Sequence, residues 1–398
     1  MKILFDHQIY TNQNYGGISR YFYELAKELT MSGNDCDNSI YFSENEFTRD
    51  SQFYHTREFL PFNFRGRASI KEYLNQLVSE QFLKKGSYDI FHPTYYDSYF
   101  LKTNIKPRPF VITFHDLIHE KFWEKYPDLL TNMDEVISNR KALLQSATSI
   151  IAVSNSTKRD IMEYYGVSDD RIHVTHLASS MVASVAGEGT IWGDYILFVG
   201  KRLGYKNFDK FIDAVQPLLK REKGLKVVCA GGGPFSREES MLLDKLGITA
   251  QVVQVAIDDT HLAKLYSNAL FFVFPSLYEG FGIPVLEAFN CGCPAILSNV
   301  SSLPEVGGNA ALYIDPTDDS DILRKCEMFF YDPGLRANYS EKGATRAKEF
   351  SWARTAAQTL NIYKQAITNS PSLLESPNKI TPKHDPVKEQ RRRGYIVS

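Results

Sequence analysis

The sequence predicts an α/β fold built from two doubly wound, parallel-sheet domains, and three observations lead to this prediction. Short apolar, strand-like runs alternate with helix-like runs almost throughout the chain, which is the pattern of parallel sheets whose strands are connected by helices. The length of 398 residues suggests two or three domains. The alternation restarts near residue 195, after residues 178–194, which are rich in Ala, Ser, Gly and Val and lack a clear period.

The first half begins with an expected strand at residues 2–5, because an apolar run follows the first lysine directly. Further strands of this half are expected at residues 89–92, 110–114, 149–154 and 172–176. Helices of this half, with apolar residues at helical spacing, are expected at 18–32, 69–85 and 133–146.

The second half repeats the alternation. Strands are expected at residues 195–200, 226–230, 250–255, 271–274, 295–297 and 309–316, and helices at 209–221, 236–246, 261–267 and 350–367. Beyond residue 370 the composition changes to Pro, Lys, Arg and Ser, which predicts a flexible basic tail. The predicted boundaries are therefore 1–180 for the first domain, 181–194 for a linker, 195–350 for the second domain, 351–368 for a last helix and 369–398 for the tail.

Composition excludes several classes of protein. The formal net charge of −2 gives no reason to expect nucleic-acid binding. No apolar run approaches the length of a membrane span, and the N-terminus reads as a strand instead of a signal peptide, so a cytoplasmic protein is expected. Five cysteines without metal-finger spacing indicate reduced structural thiols.

The most informative segment is residues 278–287, YEGFGIPVLE. It leads from an apolar strand into a helix that can start at Pro284, since proline suits the first helical position. Glu279 then lies in the loop and Glu287 in the first turn of the helix. Glycines between them allow backbone N–H groups to approach a ligand near the positive end of the helix dipole. Acceptors for sugar hydroxyls and donors for an anion converge here, which suits a nucleotide sugar.

Two glycines near the N-terminus form a second candidate site. Gly16 and Gly17 precede an apolar-periodic helix and can bring backbone amides close to a phosphate or a sugar. Arg20 falls in the first turn of this helix, where the dipole disfavours a cation unless an anion accompanies it.

Two histidines follow predicted strands of the first domain. His115 and Asp116 end the strand at 110–114, and ligands of open α/β sheets bind beyond the carboxyl ends of strands. Asp116 is expected to orient this loop or His115. His92 ends another strand and is a candidate for the lining of an acceptor cleft.

Arg202 and Lys206 follow the first strand of the second domain. Breaking a sugar–phosphate bond leaves negative charge on the departing diphosphate, and fixed cations can stabilise it without a metal. The glycine run at 231–233 lacks the third glycine of a dinucleotide fingerprint, because Ser236 stands there. Asp258 precedes a predicted helix and suits either a nucleotide contact or an N-cap. The Asp-x-Asp patterns at 35–37 and 319–321 do not follow strands in the way a metal-binding motif requires, so no essential metal is expected.

The segment 278–287, together with Ser301-Ser302-Leu303-Pro304-Glu305-Val306, resembles the signature of the retaining family-4 glycosyltransferases. The resemblance extends over about residues 1 to 368 and implies the GT-B fold, with two facing Rossmann-like domains and a last helix that crosses back onto the N-terminal domain. It implies that Glu279 binds the donor hexose and Glu287 the ribose, with help from amides around Phe281, Gly282 and Ile283. It also implies that the Gly16–Gly17 loop closes on the diphosphate, that His115 lies beside the reacting sugar, and that Asp258 lies near the base.

Two departures from the family pattern are visible. The spacing between Arg202 and Lys206 is one residue shorter than in many members, which leaves the role of Lys201 open. His176-Leu177-Ala178-Ser179 replaces a common Asn-Gly turn before the linker.

The resemblance is closest in style to bacterial O-antigen mannosyltransferases. It implies a GDP-mannose donor ahead of UDP-sugars, a glycan or lipid-linked glycan acceptor and a metal-independent reaction. Basic and aromatic residues at 62–85 suit a peripheral contact with the inner membrane face, or alternatively a plain solvated helix. The other functional hypotheses are a glycoside hydrolase that uses the glutamate pair and a non-catalytic protein that binds nucleotide sugars.

Overall fold

The computed structural model describes residues 1–49, 52–102, 108–126, 132–183 and 192–369. The chain forms two compact units. The N-terminal unit contains Met1–Thr175 and the chain from Ala353 onward, and the C-terminal unit contains His176–Trp352. The division therefore falls five residues before the predicted boundary at 180, and most of the predicted linker and the predicted tail lie outside the described residues.

The described N-terminal unit contains two three-stranded parallel sheets, with strand orders β2-β1-β3 and β4-β5-β6. An isolated parallel bridge between Phe91 and Phe110 connects the two sheets. The strands are β1 Lys2–Phe5, β2 Asp35–Asn38, β3 Ile90–His92, β4 Val111–Phe114, β5 Ser149–Ala152 and β6 Ile172–Val174.

Helices connect these strands. They are α1 Gln8–Asn12, α2 Gly17–Met31, α3 Arg67–Lys85, α4 Ile118–Phe122, α5 Met133–Ser146 and α6 Asn155–Tyr165. α2 packs one apolar face, with Tyr21, Phe22 and Leu25, into the interior. Burial of each such side chain contributes about 1.5–3 kcal/mol.

The C-terminal unit has a six-stranded parallel sheet with the order β12-β11-β10-β7-β8-β9. Its strands are β7 Tyr195–Val199, β8 Lys226–Ala230, β9 Val252–Val255, β10 Phe271–Phe274, β11 Ala295–Ser298 and β12 Ala311–Ile314. The chain builds outward from β7 in one direction and then, from β10, in the other. The strand order therefore reverses between β7 and β10, and such a switch point is where open α/β sheets bind ligands.

The helices of the C-terminal unit are α7 Phe208–Arg221, α8 Arg237–Leu246, α9 Asp259–Asn268, α10 Ile283–Asn290, α11 Leu303–Gly307, α12 Asp319–Tyr331 and α13 Pro333–Ala347. Of these, α7, α8 and α12 share one apolar core with the sheet, and α13 packs against it. Within the described residues, none of the helices combines the length and the apolar character that crossing a bilayer requires.

The last helix, α14 Trp352–Thr368, continues into the N-terminal unit. His92 fixes it there. Its Nδ1 atom is hydrogen-bonded to the Tyr363 hydroxyl at 2.6 Å, and its Nε2 atom to Thr113 Oγ1 at 3.0 Å. Because the ring is fully buried and both nitrogens are engaged, His92 holds α14 in place, and the prediction that it lines an acceptor cleft was wrong.

Several local predictions need correction. β2 was not predicted, because its sequence Asp-Cys-Asp-Asn lacks apolar residues. The Asp-x-Asp pattern at 319–321 lies at the start of a helix whose N-cap is Asp318, since the Asp318 carboxylate accepts from the N–H groups of Ser320 and Asp321. α10 begins one residue before Pro284.

The burial of His92 generates a prediction about acid stability. Burial lowers the pKa of His92 from 6.5 to about 3. Between these values the unfolded chain binds a proton that the folded chain does not, so stability falls as the pH drops below 6.5, by about 1.4 kcal/mol per pH unit. His92→Gln should remove this contribution and lose stability less steeply than the wild type between about pH 6.5 and 5.

Urea unfolding of the N-terminal unit, carried out at about pH 6.5 and at about pH 5, measures how much stability the variant and the wild type each lose between these values. Tyr363→Phe is the matched control, because it removes the same hydrogen bond but leaves the buried imidazole. It should lower stability without changing the pH slope. A slope in His92→Gln equal to that of the wild type would contradict the prediction.

Candidate functional site

Two loops meet at the switch point of the C-terminal sheet. The loop after β7 carries Lys206, and the loop after β10 carries Glu279. Lys206 Nζ donates to Glu279 Oε1 at 2.7 Å, and both side chains are largely buried. Two residues that the sequence analysis proposed separately are thus a direct ion pair at the carboxyl ends of neighbouring strands.

The loop after β10 is held by hydrogen bonds on both sides. The N–H of Leu277 donates to the Tyr205 carbonyl at 2.7 Å, and the N–H of Glu279 donates to Ser301 Oγ at 2.9 Å. Ser302 Oγ lies 2.9 Å from the carbonyl oxygens of both Glu279 and Phe281. These serines, for which no sequence pattern predicted a role, fix the backbone that carries Glu279.

The loop leads directly into α10. Gly282 is the N-cap of this helix with φ +102°, and a Cβ atom there would lie 2.9 Å from Leu303 Cδ2. Only glycine fits, because both the backbone angle and the space exclude a side chain. Since the helix begins at Ile283, Glu287 is its fifth residue and lies in the second turn, where the sequence analysis had expected it in the first.

The side chain of Glu287, on this helix, is mostly buried. The Tyr266 hydroxyl donates to Glu287 Oε2 at 3.3 Å. Burial, together with the charge of Glu287, raises the pKa of Tyr266 well above its ordinary value. Tyr266 therefore remains a donor at all working pH values and orients the carboxylate.

Phe281 packs beside the first residues of the C-terminal unit. Its ring centroid lies 5.9 Å from that of His176, and His176 Nε2 is hydrogen-bonded to Glu305 Oε1 at 2.6 Å. The residue that departs from the family pattern before the linker thus contacts the loop that carries Glu279.

Arg202 is enclosed by the glycine run at 231–233. It donates to the carbonyl oxygens of Gly231, Gly233 and Pro234 and to both carboxylate oxygens of Glu239. A Cβ atom at Gly232 would lie 2.8 Å from Arg202 Nη1, which explains glycine at this position. Only 6% of the Arg202 surface is exposed. Arg202 therefore organises this loop, and its positive charge lies at the end of the sheet that also carries Lys206 and Glu279.

Sequence reasoning missed Glu239 as the partner of Arg202. The S-x-x-E pattern predicts the capping box that Ser236 and Glu239 form at the start of α8, but it contains no signal that Glu239 also pairs with Arg202. Asp258 is likewise an N-cap, and its Oδ1 accepts from the His261 N–H at 2.7 Å. Asp258 was considered for a nucleotide contact or an N-cap, and the structure shows the N-cap.

In the N-terminal unit, Gly16 is the N-cap of α2 and Gly17 its first residue. A Cβ atom at Gly16 would lie 2.5 Å from Gln13 Oε1, so the loop closes tightly at this point. Arg20 is buried, donates to the Tyr15 hydroxyl and lies 5.6 Å from the centroids of the Tyr15 and Phe47 rings.

His115 follows β4 and is also buried. Its backbone N–H donates to the Tyr96 hydroxyl at 2.9 Å. Burial, reinforced by the nearby charge of Arg140, lowers the pKa of His115 to about 3, so the imidazole is neutral. Nε2 has no hydrogen-bond partner among the residues that the structure describes. Asp116 Oδ1 accepts from the Ile118 N–H at 3.1 Å and orients the loop, as predicted.

Across the described ranges, no group of three or more His, Cys, Asp or Glu side chains is arranged to hold a metal ion. The five cysteines are free thiols. The Asp-Cys-Asp pattern at 35–37 lies within β2.

Comparison with known proteins agrees with this arrangement. Residues 15–178 match the family model described as Glycosyltransferase Family 4, and residues 193–346 match the model of Glycosyl transferases group 1. The O-antigen chain mannosyltransferase B of Escherichia coli is 33% identical over 269 residues, which cover 64% of this chain and 70% of the relative.

Two further similarities have lower sequence identity. The serotype-specific mannosyltransferase WbdA of Escherichia coli is 28% identical over 272 residues, and the match spans only 33% of its length. The crystal structure of Anabaena Alr3699/HepE in complex with UDP-glucose superposes with a TM-score of 0.70 at 15% identity, covering 92% of this chain and 100% of the other. At that identity the likeness shows the fold. The chain therefore belongs to glycosyltransferase family 4, as a hexosyltransferase of the GT-B fold that is similar to bacterial mannosyltransferases.

Proposed function

We propose that this hexosyltransferase moves mannose from GDP-mannose to a glycan or lipid-linked glycan in polysaccharide or O-antigen synthesis, with retention of configuration and without a metal. The observation that carries the proposal is the meeting of Lys206 and Glu279 at the switch point, with Glu287 on the helix that follows. A cation and two carboxylates at the carboxyl ends of β7 and β10 match the charges and hydroxyls of a nucleotide sugar.

The donor is assigned to the C-terminal unit. Glu287, oriented by Tyr266, accepts hydrogen bonds from the ribose hydroxyls. Glu279 and the amides at the start of α10 position the hexose. Lys206 is released from Glu279 toward the diphosphate, and Arg202 adds a fixed charge nearby. Together these two cations stabilise the negative charge that develops on the leaving group, which is the task a metal would otherwise perform.

The proposed mechanism is front-face substitution. The oxygen of an acceptor hydroxyl forms a bond to the anomeric carbon while the bond from that carbon to the phosphate oxygen breaks. The bonding electrons leave with the nucleoside diphosphate, and a phosphate oxygen takes the proton of the hydroxyl. His115 is neutral, and its Nε2 atom has no hydrogen-bond partner among the described residues. We assign His115 a hydrogen bond to the transferred hexose. The Gly16–Gly17 loop and Arg20 are assigned to the diphosphate and the acceptor.

The choice of GDP-mannose rests on the relatives named as mannosyltransferases. A UDP-sugar is the alternative, because the structurally similar HepE was solved with UDP-glucose. A hydrolase that uses Glu279 and Glu287 as acid and base is not favoured, since Lys206 and Tyr266 hold the two carboxylates in separate roles.

Helix α3 suggests peripheral contact with an anionic membrane. Its polarity is inverted, because it buries Asn75 and Ser79 and exposes Ile70, Tyr73 and Leu77. The buried polar groups are satisfied: for example, Asn75 Oδ1 accepts from two backbone N–H groups, and Ser79 Oγ donates to the Ser39 carbonyl. The exposed apolar face is flanked by exposed basic residues, namely Arg65, Lys84 and Lys85. Apolar contact with basic flanks is the arrangement that binds anionic lipid.

The donor and the stereochemistry are tested together. The protein is incubated in EDTA with GDP-mannose, UDP-glucose or UDP-N-acetylglucosamine and a synthetic α-mannoside acceptor, and products are followed by NMR. We expect an α-linked mannoside from GDP-mannose alone. Transfer from a UDP-sugar instead would contradict the donor assignment, a β-linked product would contradict retention, and activity that manganese or magnesium must restore would contradict metal independence.

Alanine substitution of Glu279 and of Glu287 should have different effects on ligand binding, because the two glutamates bind different parts of the donor. Glu287→Ala should weaken GDP and GDP-mannose alike, by about 1.5–3 kcal/mol, the scale of a hydrogen bond to a charged group. Glu279→Ala should bind GDP nearly as the wild type does but lose affinity for GDP-mannose and turnover, because the hexose is no longer held.

Calorimetric titration of both variants with both ligands distinguishes these results. Glu327→Ala is the control, since Glu327 forms an exposed ion pair with Arg221 on the outside of α12 and should bind both ligands normally. If Glu279→Ala weakened GDP as much as Glu287→Ala does, the division of roles would be wrong.

Membrane contact is tested with vesicles. The wild type should sediment with vesicles that contain phosphatidylglycerol, and a variant with serine at positions 70, 73 and 77 should bind them at least about tenfold more weakly, because each buried apolar side chain contributes about 1.5–3 kcal/mol. Met241→Ser changes an equally exposed apolar residue of the C-terminal unit and should bind as the wild type. Equal binding of the vesicles by the wild type and both variants would contradict the proposed membrane contact of α3.

A further inference from the structure

A buried ion pair lies behind the His115 loop, and none of the roles described so far includes it. Arg140 on α5 and Glu120 on α4 are 1% and 9% exposed. Arg140 Nη1 lies 2.9 and 2.7 Å from the two carboxylate oxygens of Glu120. The Tyr165 hydroxyl also donates to this carboxylate.

Stability alone does not explain such a pair. Two charges lose their hydration on burial, and replacing a buried ion pair by apolar side chains of similar volume is often neutral or stabilising. Arg140 is among the largest fully buried side chains of the chain, and its surroundings are mostly apolar residues of the N-terminal core. A charge at this position therefore calls for a role other than packing.

The geometry connects Arg140 to both sides of His115. Its guanidinium lies over the Tyr96 ring, 4.3 Å from the centroid, and the Tyr96 hydroxyl accepts the backbone N–H of His115. Arg140 Nη1 also approaches the carbonyl oxygen of Asp116, the next residue, at 3.3 Å. Glu120, which clamps Arg140, belongs to the helix that starts at Ile118. One side chain thus supports the loop before and after the imidazole.

The electrostatic surroundings of His115 come from several elements. Tyr21 on α2 lies edge-on to its ring at 5.2 Å, His92 on β3 interacts with it electrostatically, and Tyr96 holds its N–H. Arg140 is the charged group that acts on His115, and its positive charge opposes protonation of the imidazole. The same residue therefore fixes the position of His115 and favours its neutral form.

We propose that Arg140 is a positioning residue for glycosyl transfer: clamped by Glu120 and stacked on Tyr96, it fixes the loop of His115 and so places that imidazole for its hydrogen bond to the hexose. This inference rests on the proposed role of His115. Arg140 itself touches no substrate.

The test separates the hydroxyl of Tyr96 from the charge of Arg140. Tyr96→Phe keeps the ring under the guanidinium but removes the acceptor of the His115 N–H. We expect kcat with GDP-mannose to fall about 10- to 100-fold, the scale of a small misplacement of a reacting group, with KM for GDP-mannose unchanged. Tyr195→Phe is the matched control, because it removes another buried hydroxyl bond, to the Leu265 carbonyl at 2.6 Å, at the amino end of β7. It should keep the kcat of the wild type.

The Arg140 variants test the charge. In Arg140→Met the acid limb of the kcat profile should begin at a higher pH than in the wild type, because the charge that opposes protonation of His115 is lost. Arg140→Lys retains a charge, so its acid limb should stay where it is in the wild type while kcat falls. If Arg140→Met does not fold, Arg140→Lys still decides the positioning role, because a fall in kcat with an unchanged acid limb reports lost contacts at constant charge.

Three outcomes would overturn the proposal: unchanged kcat in Tyr96→Phe, an equal loss in Tyr195→Phe, or identical acid limbs in folded Arg140→Met and the wild type. Hydrogen–deuterium exchange of residues 115–118 provides a readout that needs no donor. Exchange should accelerate in Tyr96→Phe and Arg140→Met but not in Tyr195→Phe. Should His115→Ala retain full turnover, the proposed function of His115 fails, whereas the exchange result still decides whether Arg140 holds the loop.

Discussion

The C-terminal unit depends on the reversal of strand order between β7 and β10. Because the chain extends the sheet from β7 to one side and from β10 to the other, the loops that follow these two strands diverge and leave an open edge. The side chains with candidate chemistry in this unit lie on these loops or on the helix that follows, and the pair between Lys206 and Glu279 connects them. The single hydroxyl proton of Ser302 is shared between the carbonyl oxygens of Glu279 and Phe281 and so holds in place a segment that has no regular structure.

Buried arginines perform a related task in both units. Arg202 donates to carbonyl oxygens of a glycine loop and forms an ion pair with Glu239. Arg140 supports the loop of His115 and is neutralised by Glu120. In each case a planar guanidinium with several N–H donors reaches both backbone carbonyl oxygen and the carboxylate with which it pairs. Irregular backbone near a ligand site needs such partners, because it lacks the internal hydrogen bonds of helices and sheets.

The fold was largely predictable from local patterns. The apolar strands β4, β7, β8 and β10 were found because burial on both faces produces continuous apolar runs, and the glycine turn before α10 indicated a ligand site because few other roles require two glycines between two carboxylates. β2 was not predicted because it lacks the continuous apolar run of a buried strand, and only the structure shows its parallel pairing with β1. The role of His92 was misjudged because the end of a strand is a common place for ligand contacts, and only the packing of Tyr363 against it reveals a structural bond.

Sequence patterns were enough to predict the alternation of strands and helices, the residue types at each strand end and the family to which they point. These features are local, since periodicity, glycine turns and motif spacing are written in neighbouring residues. Only the packing of the folded chain shows which charges are paired and which buried polar atoms have no hydrogen-bond partner among the described residues. Glu239 with Arg202, Lys206 with Glu279, and Glu120 with Arg140 are separated by 37, 73 and 20 residues. The partner of a buried charge is whichever group the packing of distant segments brings within hydrogen-bond distance, and one sequence contains no local signal of that distance.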